Sequence, residues 1–139
     1  MSILNAVQIV ESFWADVWVA RNPDAVDRYV VDDFVITSAG EEIRSRESFK
    51  QWIREFQAKI ADIEFEVVES FQNAEGDRVA SRWRARGRNN GLFGLPPDKR
   101  PLEMTGTAVW AVRADGKLLH NWVERSAWEC YQRLRESLS

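Results

Sequence analysis

Cysteine and histidine are nearly missing from this 139-residue chain, which has one of each, Cys130 and His120. A lone cysteine excludes an internal disulfide framework, and with one histidine it leaves no zinc set of Cys and His ligands, so no metal or other cofactor is expected. Long apolar runs are lacking as well: none approaches the roughly 18 to 20 residues that a membrane span requires. The opening "MSILNAVQIVESFWADVWVARNPD" carries Glu11 and Asp16 inside its apolar pattern and has no basic start before a solid apolar block. It reads as a helix rather than a signal peptide, with a cytoplasmic location as the default. Excess charge of one sign is absent too, since 19 Lys and Arg against 22 Asp and Glu leave a net charge of −3. That balance supplies no overall field to hold nucleic acid or an anionic membrane. There is no internal repeat and no low-complexity segment.

What the chain does have is 45% hydrophobic residues, 29% charged residues and seven tryptophans. Its length suits one domain, residues 1–139, with a real core and one site. Across residues 3–20, Ile3, Val7, Val10, Trp14 and Val17 recur at spacings of three and four, which predicts a helix buried along one side. Asn22 and Pro23 read as the cap and first turn of a short helix, "DFVITS" as a strand, Gly40 as a turn and "EEIR" as a short return strand. Ser45 can cap a helix whose stripe is Phe49, Trp52, Ile53, Phe56 and Ile60.

Beyond Asp62 the period changes to two. Ile63, Phe65 and Val67 alternate with Glu64 and Glu66, "EGDR" turns the chain, and Val79, Ser81, Trp83 and Ala85 alternate with arginines 82, 84, 86 and 88. That is a hairpin by pattern. The loop "NNGLFGLPPDKRP" is unusually apolar and should cover something. "LEMTGTAVWAVR" and "LLHNWVER" are two further strands around an "ADGK" turn, and "SAWECYQRLRESL" closes as a helix with Ser126 and Glu129 spaced as a capping box. Helices followed by antiparallel strands predict an α+β domain whose curved sheet wraps around the helices, leaving an apolar cavity at the open end.

The order of elements resembles the nuclear transport factor two-like fold. The segment "GLFGLPPDKRPLEMTGTAVWAVRADGKLLHNWVERSAWECYQRL" is more narrowly similar to the SnoaL-like polyketide cyclase and ester cyclase family. The resemblance implies a cone-shaped barrel of mixed, mostly antiparallel sheet around N-terminal helices, closed by a C-terminal helix. It also implies a homodimer and a hydrophobic small-molecule partner. In cyclases of this family an aspartate four residues after the last-strand tryptophan serves as acid and base for an aldol closure. Here that position, counted from Trp122, holds Ser126.

On a straight last strand His120, Trp122 and Glu124 share a face, which is expected to line the cavity, while Asn121, Val123 and Arg125 take the other. His120 could act as acid or base near neutrality, or be a wall residue bonded to a carbonyl. Glu124 in an aromatic pocket would have a raised pKa and could protonate a carbonyl, or it could pair at the sheet edge. Their backbones lie about 13 Å apart at roughly 3.3 Å per residue, so they do not hydrogen-bond to each other on an unbroken strand. Ser126 is read as a cap rather than a nucleophile, and Asp33 as a turn residue at a strand entry. Glu69 either enters the cavity or marks a bulge that resets the alternation. The arginine ladder reads as a cross-strand ionic face or a dimer surface rather than a nucleic-acid site.

Trp83, Trp110 and Trp122 fall on the apolar parity of their strands and, with Met104, Phe93 and Ser126, are expected to line a pocket for a flat hydrophobic ligand. Two functions follow. One is metal-free proton transfer on a hydrophobic carbonyl or polycyclic compound (aldol cyclisation, isomerisation or dehydration), with His120 and Glu124 as catalytic groups. The other is a non-catalytic ligand-binding or dimerisation domain.

Overall fold

A computed structural model describes residues 5–136. Helix α1 spans Ala6–Phe13, and its start is locked by a reciprocal pair: Asn5 Oδ1 accepts the Gln8 N–H at 2.8 Å and Gln8 Oε1 accepts the Asn5 N–H at 2.9 Å. Ile3 of the expected stripe lies outside the described residues. From Trp14 to Val19 the helix widens into π geometry. Ala20 N–H donates to Ala15 O and Asn22 N–H to Val17 O, each five residues back. Trp14, Val17 and Trp18 are all buried on this stretch. The segment Pro23–Arg28 is a 3₁₀ turn with Pro23 in its first turn, and the Asn22 side chain makes no cap bond, contrary to the sequence expectation.

Strand β1 (Val30–Ser38) and the short β2 (Glu41–Arg44) form the expected hairpin, turned by Ala39 and Gly40, which both have positive φ. Helix α2 (Arg46–Ala58) begins where Ser45 Oγ accepts the Ser48 N–H at 3.1 Å, and buries Phe49, Ile53 and Phe56. Then come β3 (Ile60–Gln72), β4 (Arg78–Asn89), β5 (Pro101–Val112), β6 (Leu118–Arg125) and helix α3 (Ala127–Glu136).

The six strands make one curved sheet in the order β2-β1-β6-β5-β4-β3. Only the β1–β6 pair is parallel. The two outermost strands, β2 and β3, are edges, so the cone expected from the sequence is open rather than a closed barrel. The helices fill its concave side around a core that includes Val10, Phe13, Phe34, Ile53 and Trp110, each at most 1% exposed. Within the 89–101 loop Leu92 is buried and Phe93 packs edge-on against Tyr131 of α3, so this apolar loop covers the C-terminal helix.

Candidate functional site

Which residues of β6 face the core is decided by one bulge. Ala111 pairs with His120 and Val112 with Leu118, leaving Leu119 as the extra residue. Leu118 is therefore buried, and beyond the bulge Asn121 and Val123 are buried while Trp122 and Glu124 are exposed. The inward set is Asn121, Val123 and Arg125, the reverse of the straight-strand reading. Cross-strand rows agree: Trp110 stands opposite Asn121, and Gly106 opposite Arg125.

Those three residues form one wall of an aromatic pocket between the sheet and the helices, which Ile36 of β1 also borders. The opposing wall is a row of rings on α2, Phe49, Trp52 and Phe56, in roughly parallel steps of 6.4 and 5.9 Å. The third wall is built on Phe65 of β3, whose ring lies 5.2 Å from Trp14, 5.1 Å from Trp18 and 5.4 Å from Trp83, near-parallel to each. Trp110 completes the lining. Trp14 is held by donating Nε1–H to Ser81 Oγ at 3.1 Å, and Ser81, 0% exposed, is bonded in turn to Ser70 Oγ. Trp83 can lie across β5 because Gly106 has no side chain: a Cβ there would sit 2.2 Å from Trp83 Cζ2.

Counting the solvent at its mouth, about 370 Å³ of the pocket is free of atoms, but only about 20 Å³ is open to the centre of a water-sized sphere. The resting pocket is a narrow slot, and a ligand larger than water requires rings to part. Trp52 and Arg125, both half-buried, are among its more exposed walls. The Arg125 guanidinium lies 5.6 Å from the Trp52 ring centre and 5.3 Å from that of Phe56, in cation–π range. Burial pushes its pKa below the ordinary arginine value. The side-chain Nδ2 of Asn121 is buried with no hydrogen-bond partner, as are Nε1 of Trp83 and of Trp110. An unmade bond of this kind costs about 1–3 kcal/mol.

His120 stands on the opposite, convex face. It shares a 2.8 Å hydrogen bond with Thr37 Oγ1 and stacks on Trp122 at 4.0 Å with a 10° tilt. Desolvation by burial is the main reason its pKa falls below the ordinary histidine value, opposed by Glu42. Glu124 is exposed on the same face, and Trp122 is 38% exposed. Glu69 takes the bulge alternative: the β3 register shifts between Val67 and Glu69, and its carboxylate accepts from Arg82 Nε at 3.0 Å. The acid and base expected from the sequence thus stand outside the pocket.

Ser126 lies at the start of α3, but its hydroxyl accepts the Thr105 N–H at 3.0 Å across to β5. Met104 is fully buried in the core without bordering the pocket, and Phe93, in the 89–101 loop, packs against Tyr131 of α3, so of the expected pocket residues only Trp83 and Trp110 line it. The arginine ladder is an ionic face: Arg84 and Arg86 each reach Glu103 at 3.4 Å, beside the Arg82–Glu69 pair. No helix among the described residues is long and apolar enough to cross a membrane.

A family model described as a SnoaL-like domain matches residues 10–121. No curated protein matches the chain. Among solved structures, a proposed polyketide cyclase from Acidithiobacillus ferrooxidans is 23% identical with a TM-score of 0.80, covering 98% of this chain and 99% of that one. IdmH, a proposed polyketide cyclase from Streptomyces antibioticus, is 25% identical with a TM-score of 0.75, over 91% of this chain and 98% of its own. A SnoaL-like polyketide cyclase from Agrobacterium tumefaciens superposes with a TM-score of 0.76 at 15% identity, covering 95% and 98%.

Proposed function

The chain belongs to the SnoaL-like domain family, and on that premise we propose that it binds a flat, largely apolar small molecule in the slot beneath its curved sheet. The observation that carries this reading is the lining: five tryptophans and three phenylalanines, with Asn121 and Arg125 as the polar groups. Rings on three sides favour a planar ligand, and a few placed polar atoms orient it.

Proton transfer of the cyclase, isomerase or dehydratase kind needs an acid and a base within reach of one substrate. The pocket lining contains no Asp, Glu, His, Lys, Cys or Tyr. His120 and Glu124 face away from it, and Ser126, where the resembling cyclases have an aspartate, spends its hydroxyl on the Thr105 backbone. Binding without acid–base catalysis is therefore the favoured reading over the catalytic one.

Titrating tryptophan fluorescence with anthraquinone tests it. Saturable quenching is expected in the parent chain, with a loss of at least tenfold in affinity for Val123→Phe, which fills the slot. Quenching that never saturates, or that survives Val123→Phe unchanged in a folded protein, overturns the reading. Self-association is the second part of the proposal. Trp122 at 38% exposure and Phe71 at 57% leave apolar area on the convex face, so sedimentation should show a dimer; a monomer at micromolar concentration overturns that part.

A further inference from the structure

We propose that the pocket is specific for an aromatic anion, a flat ring system whose carboxylate or phenolate oxygen pairs with Arg125 while a second, uncharged oxygen accepts from Asn121. This rests on the ligand-binding reading above and adds to it the charge and polarity of the ligand.

Arg125 is half-buried, yet among the described residues it forms neither an ion pair nor a hydrogen bond; its neighbours are the faces of Trp52 and Phe56. The arginines of the convex face differ, since Arg82, Arg84 and Arg86 each meet a carboxylate. The Arg125 guanidinium is partly withdrawn from water with no counter-charge, and a bidentate carboxylate is the group that best fits its fork of donors. Asn121, 1% exposed, adds an unpartnered Nδ2, and the indole N–H groups of Trp83 and Trp110 are unpartnered too. Four lining side chains thus offer N–H donors, and no carboxylate among the lining residues answers them. The deficit is one of acceptors, and the unpaired positive charge favours an anionic one.

The strand sets the spacing. Asn121 lies in the row of Trp110 and Ile36, Arg125 two rows further along beside Gly106, and their backbones are about 13 Å apart at roughly 3.3 Å per residue. The two donors therefore address opposite ends of one elongated ligand, with Val123 between them.

Matched probes decide the matter. Two-dimensional NMR of the full ¹⁵N-labelled chain, following the tryptophan indole signals, yields dissociation constants for 2-naphthoate and its uncharged isostere 2-naphthamide. The expected result is at least a tenfold preference for the carboxylate, falling below twofold in Arg125→Met because 2-naphthoate loses more affinity than 2-naphthamide does, and partly retained in Arg125→Lys. If Arg125→Met fails to fold, Arg125→Gln carries the same expectation. Equal affinities in the parent chain, or a preference that survives the loss of Arg125, overturn this inference alone. Binding of neither probe overturns the ligand-binding reading as well. At the other end, 6-hydroxy-2-naphthoate should bind more tightly than 2-naphthoate, and Asn121→Leu should abolish that gain; a gain independent of residue 121 overturns the assignment of Asn121.

Discussion

Replacing Asn121 with leucine should make the protein more stable, although Asn121 is among its most buried residues at 1% exposure. Its Nδ2 leaves water on folding and meets no acceptor, a loss of about 1–3 kcal/mol. Leucine removes that donor and adds apolar surface to a wall already made of Trp110, Ile36 and Val123. Leucine is the larger residue, and overpacking a tight core costs about 1–3 kcal/mol. Here leucine has the same number of side-chain heavy atoms as asparagine, two methyl groups replacing Oδ1 and Nδ2, so the extra volume is small and most of that cost is avoided. The net gain should be about 1–2 kcal/mol, which for a chain of this length raises the melting temperature by roughly 3–7 °C. Urea unfolding of both proteins, with melting followed by calorimetry, measures it directly. A midpoint lowered by the equivalent of 1 kcal/mol or more, at unchanged m-value, would refute the reasoning, because it would mean that Nδ2 is satisfied in the resting protein.

Gly106→Ala sets a Cβ 2.2 Å from the Trp83 ring, so it should cost about 1–3 kcal/mol and alter the near-ultraviolet circular dichroism of the tryptophans; an unchanged spectrum and midpoint would contradict the packing described. The depressed pKa of His120 means that the unfolded chain takes up its proton first as pH falls. Its share of stability is therefore present above about pH 6.5 and lost as pH drops toward the lower folded value, and a ring titration midpoint above 6.5 by NMR would reverse that sign. Ser126→Ala removes the acceptor of the Thr105 N–H and should cost about 0.5–1.5 kcal/mol while changing ligand affinity less than twofold. A tenfold affinity loss there would return Ser126 to the site.

Much of the architecture was legible because its signals are local. The Ser45 cap, the stripe of α2 as far as Phe56 (Ile60 opens β3 instead), the Ala39–Gly40 turn and the alternation of β4 each depend on residues within a few positions of one another. The site was legible only in part. Trp83 and Trp110 lie on strands whose apolar parity is unambiguous, so their inward direction follows from the pattern. In "LLHNWVER" apolar residues occupy both parities, Leu118 and Trp122 on one and Leu119 and Val123 on the other. A bulge beside Leu118 selects Val123 as core and sends Trp122 outward to stack on His120. Glu69 shows the same effect: past its bulge the carboxylate faces Arg82 outside, where unbroken alternation would have carried it inward.

The sequence by itself determined the kinds of element, their order, the mostly antiparallel sheet and the supply of aromatic side chains, because periodicity and capping act over a turn or a few strand positions. Tertiary structure decided what faces what. Trp14, Trp52 and Phe65 come from three distant elements and become walls of one slot only when helix and sheet meet. One inserted residue at Leu119 exchanged the expected pair, His120 and Glu124, for Asn121 and Arg125. With a side-chain period of two, a shift of one position turns a strand over. Which position holds the bulge is settled by pairing with β1 and β5, and no local pattern in β6 contains that information.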